Sequence, residues 1–235
     1  MKKRNESKMT MAALMMLAAM AMTSCASSKK INDGSNAGKS SEMGKNEEDL
    51  DNSYLVLSDA QQDIVKKNNA FALRLFNKVT DMESKVISPM SVSYLMGMLA
   101  NGADGITQQE ILKAIGCEGV SVNDLNELYK AMLLNANHQD KQTTVNIANY
   151  IAVNKNFKLN KNFSQQVSDG YQAGIESLDF TSSKSTDRIN GWCKEKTNGM
   201  IPRIIDQVSA DAVSYLMNAI YFKGTWQNKF NAKDT

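Results

Sequence analysis

Few residues in this chain are equipped for chemistry. It carries one histidine, His138, and three cysteines, Cys25, Cys117 and Cys193. A Ser-His-Asp or Cys-His nucleophile would have to be built on His138. That residue lies in the polar run NANHQDK and reads as a solvated loop histidine. No G-x-S-x-G elbow, Walker loop, H-E-x-x-H helix or paired C-x-x-C occurs. Carboxylate pairs such as Glu47 and Glu48 sit in a polar stretch and read as solvated charge. The expectation is a protein that is not an enzyme and holds no metal and no cofactor.

Cys25 is the cysteine with a chemical context. Lys2, Lys3, Arg4 and Lys8 make a basic start, and MTMAALMMLAAMAM follows as an apolar run too short to span a bilayer comfortably. It ends in MTSC, small residues directly before a cysteine, which resembles the lipobox of bacterial lipoproteins. That resemblance implies a signal peptide over 1–24, cleavage before Cys25 and acylation of its thiol. Met22 stands where a lipobox prefers leucine. The alternative is an ordinary secretory leader with an incidental cysteine. Residues 26–53 are rich in Ser, Asn, Gly, Lys and Glu and bury too little apolar surface to order themselves. The span 25–57 therefore reads as a lipidated cysteine followed by a tether. The expected localisation is extracytoplasmic: anchored to a bacterial membrane by lipid only, facing the periplasm, cell surface or extracellular space.

The formal charge of +2 depends on that leader. Removing its four basic residues and one acid, Glu6, leaves the remainder slightly acidic, so nucleic acid is not an expected partner. Cys117 and Cys193 do not make a disulfide framework and read as small apolar packing residues.

Asn218 raises a different question. It interrupts the apolar run in LMNAIYFKGTW, where a buried amide costs free energy unless it is hydrogen-bonded. The elements around it are readable from period and caps. Residues 58–79 form an amphipathic helix behind Ser58, with Phe71, Leu75 and Val79 recurring and Phe76 beside them. KVIS is β-like. Ser88 and Pro89 open a second helix with a Val92, Leu95, Met96 and Leu99 stripe. Thr107 and Glu110 have capping-box spacing for a third, ended by Gly116. Leu125, Leu128, Met132 and Leu133 mark a fourth. TTVNIANYIAVN alternates like a strand. A short helix, a short strand (GIESLDF) and a helix closed by Asn198-Gly199 follow. The run DAVSYLMNAIYFKGTW is apolar on both faces and is expected at the centre of a sheet. The class is α+β, with helices packed on a large central β-sheet.

Several of these stretches together resemble the serpins. They are NNAFALRLFNKV, VISPMSVSYLMGMLANGADGITQQEILKAIG, INGWCKEKTNGMIPRIID and LMNAIYFKGTWQNKFNAKDT. The likeness runs from about Ala60 to Thr235 and makes residues 58–235 the amino-terminal part of a serpin domain. It implies a multi-domain fold of three sheets and about nine helices, here truncated after the third strand of the large sheet. It also implies that Ser88, Ser91 and Asn218 line the region where that sheet opens, the shutter. Trp226 would stand at its top, the breach, where a reactive loop begins to insert. The static alternative for Asn218 is a satisfied core amide. The implied function is a serpin-type inhibitor of serine, or alternatively cysteine, proteases. The protease attacks an exposed loop, forms an acyl-enzyme, and is deformed as the cut loop inserts as a new strand. The reactive bond is expected beyond this chain. The alternatives are a non-inhibitory serpin used for binding or storage, or an inactive serpin fragment.

Overall fold

The computed structural model describes residues 55–80, 84–136, 143–226 and 228; Cys25 and His138 lie outside them. Helix α1, Asp59–Val79, starts at Ser58, whose hydroxyl accepts from Gln61 N while the Gln61 side chain accepts from Ser58 N. This reciprocal pair satisfies two backbone donors that a helix start leaves unpaired. Its buried residues are Ile64 and Phe71, whereas Phe76 and Val79, expected on the core stripe, are exposed. Residues 85–88, expected as a β-like run, have no regular secondary structure and pair with no described strand.

Helix α2, Pro89–Asn101, begins as the Ser88-Pro89 pair predicts, but it buries a different face. Ser93, Tyr94, Gly97 and Met98 point inward, while Leu99 is exposed and Val92, Leu95 and Met96 are half-buried. The reason is close packing against several elements at once. Tyr94, Tyr129 and Tyr171 form a buried ring trio with centroids 4.8–6.3 Å apart. Gly97 leaves room for it: an added methyl would overlap the Tyr171 hydroxyl and crowd the Tyr129 ring.

Helix α3, Gly105–Ala114, is capped by Asp104, whose carboxylate accepts from Gly105 N at 2.7 Å. The cap expected at Thr107 is therefore inside the helix, because a carboxylate three residues earlier takes the orphan donor first. Helix α4, Val122–Ala136, buries Leu125, Leu128, Tyr129 and Leu133.

Strands β1 (Thr144–Asn154), β2 (Gly174–Leu178) and β3 (Ser214–Lys223) form one mixed sheet in the order β2-β1-β3. β1 runs parallel to β2 and antiparallel to β3. Helix α5, Lys161–Tyr171, links β1 to β2, and α6, Ser183–Lys196, lies between β2 and β3 in the chain. Among the described residues β1 is the middle strand, and β3, expected at the centre of a sheet, pairs with β1. Apolarity on both sides of β3 matches cover on both faces. Leu216 packs with the core of α1–α5, and Met217 and Ala219 pack with Trp192 and Cys193 of α6. The α+β class holds. No helix among the described residues is long and apolar enough to cross a membrane.

Candidate functional site: the serine and asparagine cleft beside β3

The antiparallel register sets Asn149 of β1 directly opposite Asn218 of β3. Side chains two residues apart share a face, so this amide pair sits between Ile147 opposite Ile220 and Ile151 opposite Leu216. Both amides are buried. Asn218 Nδ2 donates to Asn149 Oδ1 at 2.8 Å and lies 3.4 Å from Ala148 O. Asn149 Nδ2 in turn donates to Tyr171 O, at the end of α5, at 2.8 Å. A polar relay therefore runs from β3 across β1 into the helical layer.

Asn218 Oδ1 is buried and has no donor among the described residues. Leaving a buried acceptor unpaired costs about 1–3 kcal/mol, so the site holds a polar group that gains from an incoming N–H or O–H.

At the start of α2, the Ser88 and Ser91 hydroxyls lie 2.8 Å apart, and Ser91 N donates to Ser88 Oγ. Ser88 thereby satisfies a first-turn donor, as its N-cap position requires. Ser91 shares a narrow cleft with Asn218, Ala219 and Ile220 of β3 and with Cys193 and Thr197 from the end of α6. β3 pairs with no other described strand beyond β1, so its second edge faces this cleft with alternate backbone groups unpaired. Thr197 is turned to local work: its hydroxyl donates to Cys193 O and accepts from Ile201 N, closing α6.

The structure thus places Ser91 and Asn218 along one cleft and Ser88 within hydrogen-bonding distance of Ser91. Trp226 follows β3 by three residues, is exposed, and does not line that cleft. Asn149 and Thr197 were not anticipated. β1 carries three asparagines, Asn146, Asn149 and Asn154, and only the register picks out Asn149 as the one opposite Asn218. Cys117 and Cys193 are buried free thiols, as expected. Burial raises both, Cys117 to about 11, which leaves them poor nucleophiles. No cluster able to hold a metal occurs among the described residues.

The comparisons with known proteins agree with this architecture. The family model described as Serpin (serine protease inhibitor) matches residues 66–235. Serine protease inhibitor 42Dd of Drosophila melanogaster is 32% identical over 165 residues, covering 69% of this chain and 44% of the relative. Serpin B6 of Bos taurus is 33% identical over 181 residues, covering 72% of this chain and 47% of the relative. Among solved structures, the thermophilic serpin tengpin in its latent state superposes with a TM-score of 0.69 at 31% identity, covering 76% of this chain and 48% of that one. Tengpin in its native state gives 0.66, again at 31% identity, covering 76% and 45%. The chain spans less than half the length of these relatives.

Proposed function

Because the chain belongs to the serpin family, we propose that it is the amino-terminal part of an inhibitor that traps serine proteases by adding a strand to its own sheet. The observation that carries this reading is the buried amide pair Asn149–Asn218 between β1 and β3, whose Asn218 Oδ1 has no donor among the described residues. An added strand would pair with the backbone groups on the second edge of β3, the general basis of β-strand addition. It would also bring a donor within reach of Asn218. In this reading Ser88, Ser91 and Asn218 make a seam whose hydrogen bonds exchange partners as strands part and re-close. Trp226 stands past the end of the same strand, where insertion would begin. In this reading the protease serine attacks a peptide carbonyl in a loop of the whole protein, the peptide C–N bond breaks, the downstream segment leaves as an amine, and the upstream segment, held as an ester on the serine, enters the sheet before water cleaves that ester. Incubation of the full-length protein with a serine protease should therefore cause progressive, stoichiometric loss of protease activity. Undiminished activity across chymotrypsin-, trypsin- and elastase-type enzymes would sink the reading.

The seam makes Asn218 a point of control. Asn218→Ala takes away the donor to Asn149 Oδ1, an expected loss of about 1–3 kcal/mol in the full-length protein. It also removes the exchangeable amide, so more polymer is expected on warming, measured by size-exclusion chromatography. Unchanged melting and unchanged polymer content would make Asn218 a static core amide.

We also propose that the protein is a bacterial lipoprotein acylated on Cys25. The basic start, the short apolar run and MTSC support this. A palmitate analogue supplied to bacteria should label the wild type and follow it into the membrane fraction. Stable anchoring needs more than one acyl chain, as a lipoprotein amino terminus would provide. Equal labelling and fractionation of Cys25→Ala would refute the assignment.

A further inference from the structure

The cleft beside β3 is roofed in part by α6, through Cys193 and Thr197. What holds α6 at its height above the sheet therefore matters. One turn before this roof, α6 is tied to β1 and β2 by four side chains that the serine and asparagine seam does not use. Arg188 of α6 forks onto Glu176 of β2, with Nη2 to Oε2 at 2.8 Å and Nε to Oε1 at 3.1 Å. Tyr150 of β1 donates its hydroxyl to the same Glu176 Oε2 at 2.8 Å. The Arg188 guanidinium carbon stands 5.7 Å from the centre of the Tyr150 ring. Tyr150 stacks on Trp192 of α6, with centroids 5.1 Å apart and planes 20° from parallel. Arg188 and Trp192 are four residues apart and share a face of α6. The backbone then runs straight from Trp192 to Cys193.

An exposed ion pair alone contributes little. Here the pair is bidentate, shares its carboxylate with a tyrosine hydroxyl, and sits over a ring that is itself stacked, so the four groups constrain one another. Asn146 of β1 adds a bond to Lys196 O at the far end of α6. Toward β3, by contrast, Asn198, just past the end of α6, donates an exposed bond from Nδ2 to Tyr221 Oη at 3.3 Å.

We propose that Glu176, Arg188, Tyr150 and Trp192 form a clamp that fixes α6 to the β1–β2 half of the sheet and so sets how open the cleft beside β3 stands. These are positioning residues for strand addition. The inference deepens the inhibitor reading and rests on it for its biological meaning, but its test needs no protease. Releasing the clamp should let α6 lift locally and expose the Cys193 thiol, while Cys117, buried in the other core, stays covered.

The experiment is thiol labelling of the full-length protein with iodoacetamide, read by peptide mass spectrometry at both cysteines. Glu176→Gln and Arg188→Ala are each expected to speed Cys193 labelling about tenfold, the scale of losing a hydrogen bond to a charged group. Arg188→Lys, which keeps the charge but loses the fork, should fall between wild type and Arg188→Ala. The double variant should label no faster than the faster single one, because both changes release the same clamp. An unchanged Cys193 rate, a parallel rise at Cys117, or multiplicative effects in the double variant would each overturn the proposal. Protease inhibition can survive any of these outcomes, so the clamp and the inhibitor reading fail separately.

Discussion

Replacing Trp192 by alanine should destabilise the protein by about 3–5 kcal/mol, the range for removing a buried tryptophan. Trp192 is 5% exposed and lies in the core that joins α6 to the sheet, with Ile189, Phe180, Val208 and Met217. Its ring is stacked on Tyr150, so truncation removes an aromatic pair as well as apolar surface. The void cannot close by a small shift. The ring packs against β1 through Tyr150, and β1 is fixed by pairing on both sides. Net stability of a domain is about 5–15 kcal/mol, so the loss is a large share of the total. Urea unfolding of the full-length protein measures it. Trp192→Phe should recover more than half of the loss, since it restores a ring against Tyr150. A loss below about 1 kcal/mol for the alanine variant would show that α6 is not packed as described.

The parts of this fold that local chemistry fixes were legible in the sequence. Ser58 caps α1 and Ser88 with Pro89 opens α2, because both signals act within one turn. The Asn198-Gly199 stop behind α6 is also local: both residues take positive φ, 51° and 81°. The parts that depend on neighbours were not legible. The large apolar residues of α2 suggested a stripe through Val92, Leu95, Met96 and Leu99, yet the buried face runs through Tyr94, Gly97 and Met98. A helix packed on several sides buries small residues where it comes closest, and period alone does not reveal this. The place of β3 in the sheet is not legible for a related reason, since face burial and edge pairing leave the same apolar mark. At the site, Asn218 stood out as a polar residue in an apolar strand. Its partner Asn149 did not, because strand register decides which residues meet and a shift of one residue changes every pair. The closeness of Ser91 to Asn218 was expected from family resemblance alone, and no spacing in the sequence would have given it.

The seam and the proposed clamp lie on the two faces of one sheet. Ser88, Ser91, Asn149 and Asn218 supply hydrogen bonds on the side of α2, and Glu176, Arg188, Tyr150 and Trp192 hold the roof from the far edge of the sheet. Strand addition at β3 is the event both would serve, and its largest expected effect is all-or-none. A protease caught between acylation and deacylation stays joined to the inhibitor through an ester bond that detergent does not break. A substrate simply cut and released leaves no such bond. The direct measurement is therefore a denaturing gel of the full-length protein after incubation with chymotrypsin, trypsin and elastase in turn. The account predicts, for at least one of them, a band at the summed mass of protease and inhibitor that survives boiling in detergent and is absent when the protease serine is blocked beforehand. Cleavage of the protein by all three with no such band would contradict it.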